Sequence, residues 1–351
     1  MWQFFLVIII SSIISFLLTP LVRNFFISHH WVENPLEKDK KTHNATALTT
    51  VPRGGGLPVF ISIFITSLIF LPLDKHLIGI LFAALFTLII GLWDDIKDIS
   101  PKLRLFTNII AALIVVSVGI GIAFISNPLN GGVINLSHPR LNFNLFGPHS
   151  IWLIPDLLAV IWIVWCMNIV GWATGVDGQL PSFVTIAAFF MGILAFRYST
   201  DITQWPVIIL AAAISGAYLG FLPFNFYPQS IMPGYSGKSL AGFLLAVLAI
   251  LSGAKFATLI FLLAIPMLDA IYTIIRRIVQ KKPIYLGDGQ HLHHQLLKKG
   301  WSRRAISLFY SFFTLLLGTI SLFLNTFQKL YFFIFLALIF FAFTFTLSRH
   351  N

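Results

Sequence analysis

HLIGILFAALFTLIIGLWDDIKDIS, His76 to Ser100, is apolar for most of its length and then sets Asp94, Asp95 and Asp98 at its end. The run from 76 to 93 is long and unbroken. In lipid it must satisfy its own backbone as a helix, because barrel strands are shorter and alternate. The rest of the chain has the same character: of 351 residues, 58% are hydrophobic and 10% charged, with a mean hydropathy of +0.89. A soluble domain needs far more polar surface. The expected fold is all-α, a polytopic integral membrane helix bundle, with residues 1–351 forming one domain.

Working outward from that run, 11 transmembrane helices are expected, at about 2–22, 54–72, 76–93, 104–125, 151–168, 181–198, 205–222, 239–252, 255–275, 305–324 and 329–347. The first lacks a basic leader and an A-x-A-like cleavage site, so it reads as a retained helix rather than a signal peptide. The single cysteine, Cys166, lies inside an apolar run and reads as a structural thiol. Assigning alternate loops to opposite sides gives 18 Lys and Arg to 23–53, 94–104, 169–180, 223–238, 276–304 and the C-terminal tail, against 5 elsewhere. The positive-inside rule makes the first set cytoplasmic, with the N-terminus outside and the C-terminus cytoplasmic. That asymmetry accounts for the net charge of +11 without nucleic acid. Loop 126–150, on the other side, reads as a surface connection.

The cytoplasmic loops also hold eight of the 12 acidic residues: Glu33, Glu37, Asp39, Asp94, Asp95, Asp98, Asp177 and Asp288. One face therefore carries groups for phosphate and for metal together. Lys41 and His43 precede Pro52-Arg53-Gly54-Gly55-Gly56. Glycines there let backbone N–H groups approach an anion and Arg53 adds a fork of donors, though the string also reads as a hinge. Asp94, Asp95 and Asp98 fit one helical face and suit a hard cation such as Mg²⁺, or else solvate and cap a loop before Ser100-Pro101. Asn168 and Asp177 lie in NIVGWATGVDGQLP, Asn225 and Lys238 in GFLPFNFYPQSIMPGYSGKS; each string also reads as a structural turn. Asp269 sits inside the ninth expected span, where a carboxylate is costly, and reads as a structural or orienting group. In DGQHLHHQLLKKGWSRR, helical spacing puts His291 and His294 on one face and His293 elsewhere. These imidazoles suit a phosphate or sugar; no cysteine or second histidine cluster completes a zinc site in the cytoplasmic loops.

Taken in order and on one side, Lys-x-His with PRGGG, DDxxD, Asn…DG, GFLxFNxxP and DxxHLHH resemble the polyprenyl-phosphate N-acetylhexosamine-1-phosphate transferases, glycosyltransferase family 4. That family includes the GlcNAc-1-phosphate transferases and the phospho-MurNAc-pentapeptide translocase; PRGGG and HLHH look more like the GlcNAc-1-phosphate branch. The resemblance implies transfer of a sugar 1-phosphate from a UDP-sugar to undecaprenyl or another polyprenyl phosphate, with release of UMP. It would begin a cell-envelope glycan of peptidoglycan or lipopolysaccharide type. It also implies a multi-pass enzyme of a bacterial-type inner membrane, with its active face in the cytoplasm and room for a homodimer. By the same likeness Asp94, Asp95 and Asp98 would be catalytic, and Asp94, Asp95 and Asp177 would hold Mg²⁺. Lys41, His43, Arg53, Asn168, Asp177, Asn225, Lys238, His291, His293 and His294 would bind substrate.

Four positions depart from the family. Gly171 and Thr174 stand where it has Asn and Asp; Tyr235 replaces an Asp expected to bind Mg²⁺, and Lys238 replaces a Ser. A neutral phenol cannot replace a carboxylate on Mg²⁺. Three outcomes are open: the remaining aspartates suffice, metal binds weakly, or transfer is lost. A homologue that only binds lipid phosphate or a partner enzyme is the alternative to a transferase. A transporter would rest on Asp269 alone.

Overall fold

A computed structural model describes residues 1–34, 49–127, 132–144, 148–197, 204–252, 256–283 and 289–349. The described helices are α1 (Trp2–Ser28), α2 (Gly56–Phe70), α3 (Lys75–Lys97), α4 (Pro101–Ser117), α5 (Leu153–Trp172), α6 (Gln179–Phe196), α7 (Gln204–Asn225), α8 (Gly234–Leu251), α9 (Phe256–Leu262), α10 (Ala264–Val279), α11 (Leu292–Lys298), α12 (Arg303–Ser321) and α13 (Thr326–Arg349). Eight of them, α1, α3, α5, α6, α7, α8, α12 and α13, are long and apolar enough to cross a membrane, or up to 9 spans if the bent pair α9–α10 counts as one. The chain is an all-α, multi-pass membrane protein.

Helix boundaries follow local chemistry. Asp74 accepts from the Leu77 N–H at 2.7 Å and starts α3. Ser100 accepts from the Leu103 N–H at 3.3 Å, with Pro101 at the first position of α4. Of the 11 expected spans, 54–72 and 104–125 correspond to the shorter helices α2 and α4, which are not among these eight, and two more differ in form. The ninth is not one straight helix over 255–275 but breaks into α9 and α10 at an angle of 84°. Pro266 has no N–H and its ring would clash with the carbonyl four residues earlier, so the chain turns just before it. The eighth is not short: α8 starts at Gly234 rather than 239, because its first N–H groups find acceptors on α3.

Burial separates centre from rim. In α7 and α8, 78% and 83% of the apolar window is buried inside the protein, against 28% in α1 and 11% in α13. A helix apolar all round belongs in the middle, and α8 is there. Without a hydrophobic drive in lipid, close packing relies on small residues and interhelical hydrogen bonds. On α1, Ser11 Oγ donates to the Ala213 carbonyl of α7 at 2.7 Å, and Ser62 Oγ of α2 donates to the Ser11 carbonyl at 2.5 Å. Gly216 and Gly220 of α7 lie against the backbone of α1. Cys166 is wholly buried, as expected of a structural thiol.

The two ends of the bundle differ. At one, Arg197 donates to the Leu322 carbonyl and Lys329 Nζ donates to Thr258 Oγ1 at 2.9 Å. The 126–150 connection there is more ordered than a plain loop. It holds β4 (Val133–Asn135), paired with β3 (Phe124–Ser126), and most of the hairpin of β5 (Arg140–Asn144) and β6 (Pro148–Trp152). At the opposite end, β1 (Val32–Glu33) pairs with β2 (Val51–Pro52), setting Glu33 near Arg53. That end gathers the polar loops.

A side chain at Gly220 would meet the backbone of Ser12 and Phe16. Gly220→Val is therefore expected to destabilise the bundle by about 1–3 kcal/mol. Thermal unfolding in detergent reads the loss, with lipid-facing Phe335→Leu on α13 melting like the parent.

Candidate active site

The site is organised by the first turn of α8. Gly234 has φ +66°, and a side chain there would strike the Arg53 carbonyl and the Asp95 carboxylate. Glycine at that position lets α8 begin against both. Asp95, near the end of α3, accepts from the Tyr235 N–H at 2.6 Å on one oxygen. On the other it accepts from the Ser236 N–H at 3.2 Å and Ser236 Oγ at 2.5 Å. A carboxylate at a helix N-terminus is doubly favourable, through direct hydrogen bonds and the helix dipole. Met232 N donates to the Pro52 carbonyl at 2.8 Å and Gly55 N to the Met232 carbonyl at 3.0 Å, tying PRGGG to the same turn.

Two arginines compensate the carboxylates. Arg53 Nη1 donates to Asp98 at 2.7 Å, Nε lies 3.5 Å from Glu33 and 3.7 Å from Asp95, and Nη2 lies 3.6 Å from Asp94. Burial opposes the Arg53 charge, but Asp95, Asp98 and Glu33 outweigh it and raise its pKa, so the guanidinium stays charged. Arg104 Nε donates to Asp94 Oδ1 at 2.6 Å, and its guanidinium lies 5.0 Å from the centre of the Tyr235 ring. The Tyr235 hydroxyl donates to Asn108 at 3.1 Å. Asp94 Oδ2 is buried with no hydrogen-bond partner among the described residues.

One turn along α8, Lys238 Nζ donates to the Thr174 carbonyl at 3.0 Å and so joins α8 to the loop after α5. In that loop Asp177 takes Arg303 Nη1 at 3.1 Å and the Gln229 N–H at 3.3 Å. Asn225 is buried, accepting from the Gly178 N–H at 3.1 Å and donating to the Ile231 carbonyl at 3.0 Å. His293 packs on Gly175, stacks on His291 with ring centres 5.9 Å apart, and lies 4.2 Å from the His294 ring. Burial first, then His294, His291, Lys238 and Arg303, push its pKa down, so His293 is a neutral imidazole whose Nδ1 has no hydrogen-bond partner among the described residues. His291 Nδ1 is 2.9 Å from Asp269, which also accepts from the Leu292 N–H at 2.8 Å.

The glycosyl transferase family 4 profile matches residues 77–253, from α3 to the end of α8. The chain belongs to glycosyl transferase family 4. Among its relatives is a probable undecaprenyl-phosphate N-acetylglucosaminyl 1-phosphate transferase of Bacillus subtilis (strain 168), 27% identical over 305 residues, 84% of this chain and 78% of the relative. A decaprenyl-phosphate N-acetylglucosaminephosphotransferase of Mycobacterium tuberculosis (strain ATCC 25618 / H37Rv) is 28% identical over 334 residues, covering 85% and 76%. A phospho-N-acetylmuramoyl-pentapeptide-transferase of Bacillus licheniformis is 28% identical over 332 residues, covering 91% and 96%. This family 4 member is an enzyme of the phosphoglycosyltransferase class.

The expected residues fall into two adjoining groups in this enzyme. Asp94, Asp95, Asp98 and Arg53 form one; Lys238, Asp177, Asn225, His291, His293 and His294 form the other. Lys41 and His43 lie outside the described residues. Asn168 is turned back on its own helix, donating to the Val164 carbonyl at 2.7 Å. The histidine reading needs correcting: His291 precedes α11 as its cap, so helical spacing does not apply to it, and His293 is buried beside it rather than apart. Asp98 ends α3 in the left-handed region at φ +47°, yet it stays beside Asp94 and Asp95, and the three carboxylates share Arg53. Arg104, Arg303 and Ser236 escaped the sequence reading. Arg104 follows the DDxxD motif and Arg303 lies within the WSRR string, but only contact across the fold gives them roles.

The Mg²⁺ expectation meets an obstacle. Among the described residues, no group of three or more His, Cys, Asp or Glu is arranged to hold a metal ion. Asp94 is committed to Arg104, Asp95 to the α8 N-terminus and Asp177 to Arg303. The residues present do not fit the ion.

Asp95→Ala orphans three donors and leaves Arg53 short of a buried partner. A loss of about 3–5 kcal/mol is expected. Asp98→Ala, with its side chain 58% exposed, should cost no more than about 1 kcal/mol, and urea or thermal unfolding separates the two. His293 also sets a pH dependence. Its folded pKa is lowered, so above an unfolded value of about 6.5 both states are neutral and stability is full. As pH falls below that value the unfolded chain takes the proton first and stability is lost. The melting temperature should decline below about pH 6.5, and less so in His293→Gln.

Proposed function

We propose that this family 4 enzyme transfers GlcNAc-1-phosphate from UDP-GlcNAc to undecaprenyl phosphate at the cytoplasmic end of the bundle. The orientation has the N-terminus outside, and the product opens a cell-envelope glycan. An oxygen of the lipid phosphate attacks the phosphorus that carries the sugar, the bond to the UMP oxygen breaks, and UMP leaves with the electron pair. The products are a lipid diphosphosugar and UMP. The names of two of these three relatives support both the polyprenyl acceptor and the N-acetylglucosamine phosphate group. The histidine and PRGGG strings support the same branch.

The observation that carries the reading is that Lys238, Arg303 and His293 are all held on the one loop after α5, through Thr174, Asp177 and Gly175. Phosphoryl-type transfer asks little covalent chemistry of a protein; it needs alignment and positive charge aimed at phosphate oxygens. Lys238 and Arg303 supply charge, and the imidazoles of His291 and His294 supply donors or acceptors. Asp269 holds His291 through Nδ1 and leaves Nε2 for substrate. Asp94 and Asp95 orient rather than attack: they hold Arg104 and the turn that presents Lys238.

Reconstituted in nanodiscs with undecaprenyl phosphate and UDP-GlcNAc, the enzyme is expected to release UMP. Lys238→Ala should lower kcat/KM by about 100-fold, the scale of losing one charge-stabilising donor. Absence of UMP release from UDP-GlcNAc and from UDP-MurNAc-pentapeptide, with and without divalent ions, would favour a protein that only holds the lipid phosphate.

A further inference from the structure

We infer that Arg104 is a resident cation that takes the place of a divalent ion, so that this enzyme handles its diphosphate substrate without bound Mg²⁺. The substrate part of the inference rests on the transferase reading; the ion part does not. The family likeness puts metal ligands at Asp94, Asp95, Asp177 and position 235. Here Arg104 lies between the first and last of these, with Nε 2.6 Å from Asp94 and the guanidinium 5.0 Å from the centre of the Tyr235 ring.

Each carboxylate oxygen tells the same story. Asp94 Oδ1 takes both Arg104 Nε and the Ile99 N–H at 3.1 Å, and its Oδ2 is sealed from solvent 3.6 Å from Arg53. Both oxygens of Asp95 are taken by the α8 turn. Asp177 has one oxygen on Arg303 and the other on Gln229. Mg²⁺ demands near-octahedral oxygen ligands at about 2.0–2.1 Å, and to reach Asp94 it would have to expel a guanidinium. Tyr235 offers only a phenol, whose hydroxyl is already given to Asn108.

Arg104 is also placed to do the ion's electrostatic work. Its side chain is 31% exposed, whereas Arg53, tied among four carboxylates, is 11% exposed. A guanidinium has five donors in a planar fork suited to phosphate oxygens. Arg104 spends Nε on Asp94 and reaches Asp98 only distantly, at 3.9 Å through Nη2. Lys238 supplies a second positive group on the following turn of α8.

Mn²⁺ titration of the full-length protein in nanodiscs, read by electron paramagnetic resonance, tests the inference without turnover. The parent is expected to show no saturable Mn²⁺ uptake and no change of melting temperature between Mg²⁺ and EDTA. The double variant Arg104→Gln with Tyr235→Asp, which removes the guanidinium and adds a carboxylate, is expected to gain one Mn²⁺. Arg104→Gln alone should melt several degrees lower, since Asp94 loses its closest cation. Saturable Mn²⁺ uptake by the parent would by itself overturn the assignment, whether or not any variant folds. So would a double variant that folds and stays silent. UMP release should survive EDTA unchanged, and an EDTA-sensitive turnover would overturn the inference. A parent silent to Mn²⁺ that releases no UMP in any buffer would sink the transferase reading and leave the cation assignment standing.

Discussion

Asp95 reaching from the end of α3 to the first turn of α8 is the contact from which the polar end of this protein follows. The centre of a membrane bundle is the most buried position the chain has, and α8 occupies it. A helix that begins there cannot solvate its first N–H groups with water, so an acceptor must come from a neighbour. Asp95 supplies it to Tyr235 and Ser236. A buried carboxylate then needs a cation, which Arg53 provides. Arg53 is held in turn by Glu33 and Asp98, from two other segments. Three loops distant in sequence are thus joined by the need to satisfy one helix end.

The same contact sets the geometry of the proposed site. With the first turn of α8 fixed, Lys238 is delivered to the loop that carries Thr174 and Asp177, and the buried His293 closes the far side through Gly175. Preorganised charge is worth most where side chains cannot relax away from it. Here the cations are braced by carboxylates and carbonyls before any substrate arrives. Asp269 does the equivalent for His291: it is buried on α10, past the 84° bend, and holds one ring nitrogen at 2.9 Å.

Much of this was legible beforehand. Composition dictated helices in a membrane, and the placement of Lys and Arg divided the loops into two sets. Among the described residues, Arg53, Asp98, Lys238 and Arg303 of the first set gather at the polar end, and Arg197 and Lys329 of the second lie at the other. The ordered strings around Arg53, Asp94, Asp177, Asn225 and His291 marked the polar end. Partnership was not legible. Arg104 and Tyr235 are far apart in the chain, and nothing in their local spacing says that one lies over the other. A 3.6-residue period misplaces His293, because His291 is still outside the helix at the start of α11. The break before Pro266 was hidden by continuous hydrophobicity, which reports immersion in lipid and says nothing of straightness.

The departures from the family form one connected change rather than scattered drift. Lys238 Nζ bonds the Thr174 carbonyl, and Thr174 Oγ1 bonds the Gly171 carbonyl at 2.9 Å, so three altered positions lie on one run of hydrogen bonds. Tyr235 lies on the preceding turn of α8 beneath Arg104. Thr for Asp, Tyr for Asp and Lys for Ser each make the site one unit more positive, three units in all. A divalent ion would have brought two. On the inference drawn above, a site with that much more fixed charge than the family pattern implies would repel a divalent ion, yet keep the field that a diphosphate needs. The covalent alternative to a metal is then written in the side chains themselves, and the aspartates that remain are explained by what they brace.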